Sequence, residues 1–138
     1  MKLYYFDIYG RAESIRMLLN HKKQPFDNVL IDGAKLQELK ASGVLEFGQV
    51  PMLTTEDGKH LAQSWAILRY LGRRFGYYSE DPETAWRIDS TIDAVEDFFT
   101  AYFRVHFEAD ETKKEAGKQK FFADFLPKWL DAIEKRLN

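Results

Sequence analysis

Three short stretches of the chain bring together groups suited to holding a small anionic molecule. Tyr5 lies near the end of the first expected strand, Gln49-Val50-Pro51 leads into the third, and Gln63-Ser64 opens the third expected helix. A tyrosine keeps its proton at pH 7, so its hydroxyl donates a hydrogen bond rather than acting as a base. A helix start has unpaired N–H groups and a dipole that favour an anion. Backbone ahead of a proline at a strand start can pair with an added, strand-like ligand. Alone, each feature has an ordinary structural explanation: a packed strand aromatic, an edge proline, a helix cap. The chain has no cysteine, which excludes a disulfide framework, a zinc–thiolate site and a cysteine nucleophile. His21, His60 and His106 are scattered and have no metal-ligand spacing.

The elements around these residues alternate in the first half. Leu3 to Ile8 is a near-continuous apolar run, as in a strand buried on both faces. Ala12, Ile15, Leu18 and Leu19 recur at helical spacing and predict a helix from about Arg11 to His21, ended by Pro25. Phe26 to Ile31 reads as a second strand, Asp32-Gly33 as a turn, and 35–41 as a short, weak helix. Pro51 to Thr55 and Lys59 to Ala62 flank Glu56-Asp57-Gly58, a hairpin signal. Ser64 is expected to cap a helix that buries Ile67, Leu68 and Leu71 and ends near Gly72 to Gly76. A strand–helix–strand start with a closing hairpin predicts a parallel pair extended by antiparallel strands.

Tyr77 to Pro82 reads as a linker, with Asp81-Pro82 starting a long helix. Ile88, Ile92, Val95, Phe99, Tyr102 and His106 form one face of it. The polar stretch from Asp110 to Lys118 is expected to turn. Phe122, Phe125, Trp129, Ile133 and Leu137 form a second helical stripe, which Pro127 should kink or break. The expected domains are thus an α/β domain over 1–76 and an all-helical one over 77–138.

In this order and on this topology, the motifs resemble the cytosolic glutathione transferases, sigma-class-like with pi-like features. Tyr5-Phe6 with Gly10-Arg11-Ala12-Glu13 and Ile15-Arg16 is similar to the sigma-class opening. Phe47-Gly48-Gln49-Val50-Pro51-Met52-Leu53 is similar to the segment that holds the family's cis-proline. Asp57-Gly58-Lys59, Gln63-Ser64, Ala66-Ile67 and Arg69-Tyr70-Leu71 resemble the end of its first domain, and Val95-Glu96-Asp97 a pi-class motif. The resemblance implies a thioredoxin-like N-terminal domain that binds glutathione as co-substrate, without a metal, followed by an all-α domain.

It also implies roles. Tyr5 would donate its hydroxyl to the glutathione sulfur. Val50, ahead of a cis Pro51, would pair with the cysteinyl backbone. Ser64 and Gln63 would hold the γ-glutamyl carboxylate, with Gln49 and Arg11 beside the ligand. Lys40 would pair with the glycyl carboxylate, although Leu36 stands where the family usually has a Trp. The missing indole donor should weaken the glycyl end by about 1 kcal/mol. Asp97 would reach the γ-glutamyl amine of the neighbouring subunit's ligand, and Phe47 stands where some classes insert an aromatic into that subunit. Tyr9 and Tyr102 are the candidates for the pocket that takes a small hydrophobic electrophile.

The energetics are sufficient for these roles. A free thiol has a pKa of about 8.5. Lowering it by about two units needs roughly 2.7 kcal/mol favouring the anion. A hydrogen bond to a charged group supplies about 1.5–3 kcal/mol, and a helix N-terminus about 0.3–1 kcal/mol more.

The remaining composition agrees with this class. Charged residues make up 30% with both signs mixed, and the net charge of −2 gives no basic patch for nucleic acid. The apolar stretches are too short to span a bilayer, and the N-terminus lacks a signal-peptide cleavage site. The expectations are therefore a cytoplasmic, detoxifying transferase, a homodimer, and neither nucleic acid nor membrane as partner. The family's second domain has more helices than the two expected after Pro82. That leaves a fragment or a natural short form, and a short form would expose apolar surface to a partner. The alternative function is a non-catalytic structural or binding subunit of the same fold.

Overall fold

The computed structural model describes residues 1–138 and divides into two units, Met1–Pro82 and Glu83–Asn138. In the first unit, β1 (Lys2–Tyr5) is followed by a 3-10 turn at Gly10–Ala12, α1 (Glu13–His21), β2 (Asp27–Leu30) and α2 (Gly33–Ala41). Then come β3 (Met52–Thr54), β4 (His60–Ala62) and α3 (Ser64–Phe75). The strands form one sheet in the order β2-β1-β3-β4. β1 and β2 are parallel, and β1–β3 and β3–β4 are antiparallel. This is the expected thioredoxin-like arrangement, but every strand is shorter than its apolar run: β1 stops at Tyr5 rather than continuing to Ile8, which is exposed in the turn that follows.

Alternation along the strands builds two cores. Leu3, Tyr5 and Leu53 face Ile15 and Leu19 of α1 and Ile67 and Leu71 of α3. Tyr4 and Met52 face the other way, onto Ile31, Leu39, Leu45 and Leu36 around α2. The period of two therefore assigns the adjacent tyrosines to opposite faces. α2 is a full two-turn helix, because the Asp32 carboxylate accepts the Lys35 N–H at 2.8 Å and caps it.

Two helix ends are closed by the same backbone device. After α3, the N–H of Tyr77 reaches the Gly72 carbonyl at 2.8 Å and that of Gly76 reaches Arg73 at 3.3 Å. Gly76 sits at φ 80°, the left-handed position that this closure requires. After α1, Gln24 N–H reaches Leu19 and Lys23 N–H reaches Asn20, both at 2.9 Å. There the left-handed residue is Lys23, at φ 56°. The helix ends at His21, as its apolar spacing predicts, and the chain has turned before it reaches Pro25.

The second unit contains α4 (Pro82–His106), α5 (Glu111–Lys120), a π turn (Phe121–Phe125) and α6 (Leu126–Leu137). The polar stretch expected to turn is instead helix α5. Asp110 caps it by accepting the Lys113 N–H at 3.0 Å, and Lys118 and Lys120 fill its last turn. The break expected at Pro127 is present: the π turn ends just before it, and the proline sits in the first turn of α6, where no N–H is needed. The core of this unit is aromatic. Phe98 is 4.9 Å from Trp129 and 5.8 Å from the buried Phe121, ring centre to ring centre. The Trp129 indole N–H donates to the Ala94 carbonyl at 2.8 Å, tying α6 to α4. No helix is long and apolar enough to cross a membrane.

Candidate functional site

The strand registers place three of the expected site residues in one row. Tyr4 pairs with Met52, and Met52 pairs with Ala62. Tyr5, Pro51 and Gln63 are each the next residue beyond these pairs, at the same end of the sheet. The row lies at the end of the sheet where β1 and β4 finish and β3 begins. The Val50–Pro51 peptide there is cis, as expected.

Tyr5 is 6% exposed, yet its hydroxyl has a defined partner. The backbone N–H of Arg11 donates to Tyr5 Oη at 3.1 Å. That bond occupies an acceptor position and leaves the phenol's own proton free to donate. An O–H that is already accepting a hydrogen bond is polarised and donates more strongly. The turn carrying Arg11 is tight. Gly10 has φ 42°, and a Cβ there would lie 2.6 Å from Tyr5 Oη. Only glycine fits both the backbone angle and the space. The sequence reading gave Gly10 no role beyond breaking the strand.

At the other end of the row, Ser64 was expected to cap α3. It is instead the first helical residue and is buried, while Gln63 holds the cap position without a side-chain capping bond. Gln63 has φ 67° and ψ 107°, outside the regions that ordinary side chains favour. Such a conformation costs of order 1–3 kcal/mol and tends to mark functional sites. The first hydrogen bond of α3 runs from Ile67 N–H to the Gln63 carbonyl at 2.9 Å. The N–H groups of Ser64, Trp65 and Ala66 therefore have no intrahelical acceptor and form the anion-favouring end of the helix.

Lys40, in the last turn of α2, extends across the segment that leads to Pro51. Its Cε is 3.8 Å from where a Cβ on Gly48 would stand. Gln49 is exposed and Val50 half-buried beside it. Leu36, in the place of the family Trp, packs into the core on the α2 face. Tyr5, Arg11, Pro51 and Gln63-Ser64 thus share one end of the sheet, with Lys40 along the same incoming segment.

Tyr9 is different: it is 80% exposed and lines an open cleft of about 590 Å³ with Ile8, Leu30, Asn28 and Arg16. Phe47 is 56% exposed. Asp97 and Tyr102 lie on α4 in the second unit. Asp97 is exposed, and Tyr102 is half-buried in a ladder of rings, stacked on Phe98 and on His106.

Comparison with known proteins agrees with this picture. The family model described as "Glutathione S-transferase, N-terminal domain" matches residues 1–73. The one described as "Glutathione S-transferase, C-terminal domain" matches 96–138. "Glutathione S-transferase A" of Cavia porcellus is 35% identical over 137 residues, covering 99% of this chain and 62% of that protein. "S-crystallin SL11" of Nototodarus sloanii is 32% identical, covering 99% and 65%. The solved structure of prostaglandin synthase D of Nilaparvata lugens superimposes with a TM-score of 0.86 at 30% identity, covering 95% of this chain and 64% of that one. The chain therefore spans less than two thirds of the length of each of these relatives.

Proposed function

This chain belongs to the glutathione S-transferase family, and on that premise we propose that it activates glutathione for transfer to small hydrophobic electrophiles. The observation that carries the reading is the Tyr5 hydroxyl: buried, held by the Arg11 N–H at 3.1 Å, and at the end of the sheet where β3 begins after Pro51 and β4 finishes before Gln63. Its free proton is the donor that a bound sulfur anion needs. The thiol gives its proton to solvent. The thiolate then attacks an electrophilic carbon; for an aromatic halide, a C–S bond forms and the carbon–halogen bond breaks, releasing halide. Tyr5 keeps its proton throughout and stabilises the attacking anion rather than removing a proton.

The other residues bind the tripeptide. The Val50 backbone ahead of Pro51 pairs with its cysteinyl unit as a short added strand. Ser64 and the N-terminal end of α3 take the γ-glutamyl carboxylate, with Gln63 and Gln49 beside it. Arg11 serves the same ligand, and Lys40 takes the glycyl carboxylate. Asp97 is assigned to the γ-glutamyl amine of a neighbouring subunit's ligand in a homodimer. Tyr9 and Tyr102 are assigned to the apolar electrophile. The location is cytoplasmic, and the role is detoxification. A second reading, a structural protein that keeps fold and ligand, is favoured by the crystallin among the relatives.

The test is calorimetric titration with glutathione, followed by conjugation to a generic aromatic halide. The transferase reading expects both binding and turnover. Binding without turnover in folded protein would leave the structural reading, and absence of binding would remove the proposed site.

A further inference from the structure

Arg16, near the start of α1, binds backbone and side chains of three different segments beside Tyr5. Nη1 donates to the Ile8 carbonyl at 2.9 Å, to that of Tyr9 at 3.4 Å, and to Glu13 Oε2 at 2.9 Å. Nη2 reaches the Phe6 carbonyl at 3.4 Å, and Nε donates to Asn28 Oδ1 at 3.1 Å. The guanidinium carbon lies 5.8 Å from the centre of the Tyr5 ring. The side chain is 13% exposed.

These contacts have one geometric consequence. Three carbonyls of the segment between β1 and Gly10 converge on a single rigid fork. That segment leads directly into Gly10 and Arg11, whose N–H meets Tyr5 Oη. Asn28 on β2 and Glu13 on α1 hold the fork from the other side, so it is fixed to the sheet and to the helix at once. The Glu13 carboxylate offsets the charge. What Arg16 supplies is therefore the spacing of its donors, which a lysine cannot reproduce.

We propose that Arg16 is a positioning residue for thiol activation: it fixes the segment from Phe6 to Tyr9 so that the Arg11 N–H stays on the Tyr5 hydroxyl. The proposal rests on the transferase reading above for its catalytic consequence, but its structural content does not. Without the fork, the segment relaxes, the Arg11 contact loosens, and the phenol becomes a poorer donor to the sulfur anion. Val50, Gln63, Ser64 and Lys40, assigned to the tripeptide's backbone and carboxylates, lie on other segments and are untouched.

The experiment compares wild type with Arg16→Lys, and with Asn28→Ala, which removes one acceptor at an exposed strand position. For each, kcat and KM for glutathione are measured across pH, and the exchange rate of the Arg11 amide is read by NMR. For Arg16→Lys we expect the kcat profile to move to higher pH by about one unit, read as an about threefold loss at pH 7 that approaches about tenfold on the acid side of the profile. KM should stay within about twofold, because uniform binding is unchanged. The Arg11 amide should exchange faster, and Asn28→Ala should shift both readouts in the same direction by less. A wild-type profile and wild-type Arg11 exchange in Arg16→Lys would overturn the proposal. If Arg16→Lys does not fold, unchanged readouts in Asn28→Ala would overturn it. If wild type proves inactive, the transferase reading fails, and the Arg11 exchange alone decides the role of Arg16.

Discussion

A hydroxyl buried in a strand is useful to a ligand only if something keeps its proton available, and at Tyr5 that is a backbone N–H from six residues downstream. The contact depends on an absent side chain. Gly10 → Ala would place a Cβ 2.6 Å from Tyr5 Oη and hold a non-glycine residue at φ 42°. We expect it to destabilise the fold by about 1–2 kcal/mol, measured by urea denaturation, and to displace the phenol, seen as slower conjugation at neutral pH. Of this residue-scale detail, the sequence made Tyr5 legible, because alternation with Leu3 puts it on the α1–α3 face while Tyr4 faces α2. Gly10 and Arg16 were not recognised as functional. A glycine after an aromatic strand reads as a simple break, and an arginine three residues after Glu13 reads as a surface pair. Their roles exist only once the loop has folded back on itself.

The helices of the first unit are legible nearly to their ends, because hydrophobic periodicity survives where each face meets a core. The apolar run to Ile8 overstates β1, which stops at Tyr5 where the chain turns out to solvent. The errors lie where backbone geometry decides. Ser64 had the composition of a cap, but the cap position falls on Gln63, which no propensity would place at φ 67°. The end of α1 falls at His21, where the apolar spacing puts it, but the chain is closed there by a left-handed Lys23, which no propensity would place at φ 56°. α5 was missed because it has no apolar stripe; its signals are Asp110 at the cap and basic residues in the last turn. The Lys23 geometry yields a stability prediction. Lys23→Gly removes the left-handed penalty and should stabilise the protein by roughly 1 kcal/mol, visible as a higher urea midpoint with an unchanged slope. The β3–β4 hairpin yields a prediction on pH. Hydrogen bonds from Lys59 and Thr55 hold the Asp57 carboxyl down at about 2, below the ordinary 3.8. Its folded pKa is depressed, so its stabilising contribution is complete above the ordinary carboxylate range and is lost as pH falls towards 2. An NMR titration of Asp57 should show that low midpoint, and Lys59→Ala should raise it.

Across the whole molecule, the first unit has closed cores on both faces of its sheet, built from its own residues. In the second unit only Phe121 is a buried apolar side chain. Residues 1–82 expressed alone should therefore unfold cooperatively in urea, whereas 83–138 alone should show a broad transition, as small units with little buried area do.

The central claim is that the Tyr5 proton stabilises a sulfur anion. Its most direct measure is the pKa of the glutathione thiol bound to the protein, followed by thiolate ultraviolet absorbance across pH. In wild type it should lie about two units below the free value of about 8.5, and in Tyr5→Phe it should return most of the way to it. An equally depressed pKa in folded, glutathione-bound Tyr5→Phe would contradict the account.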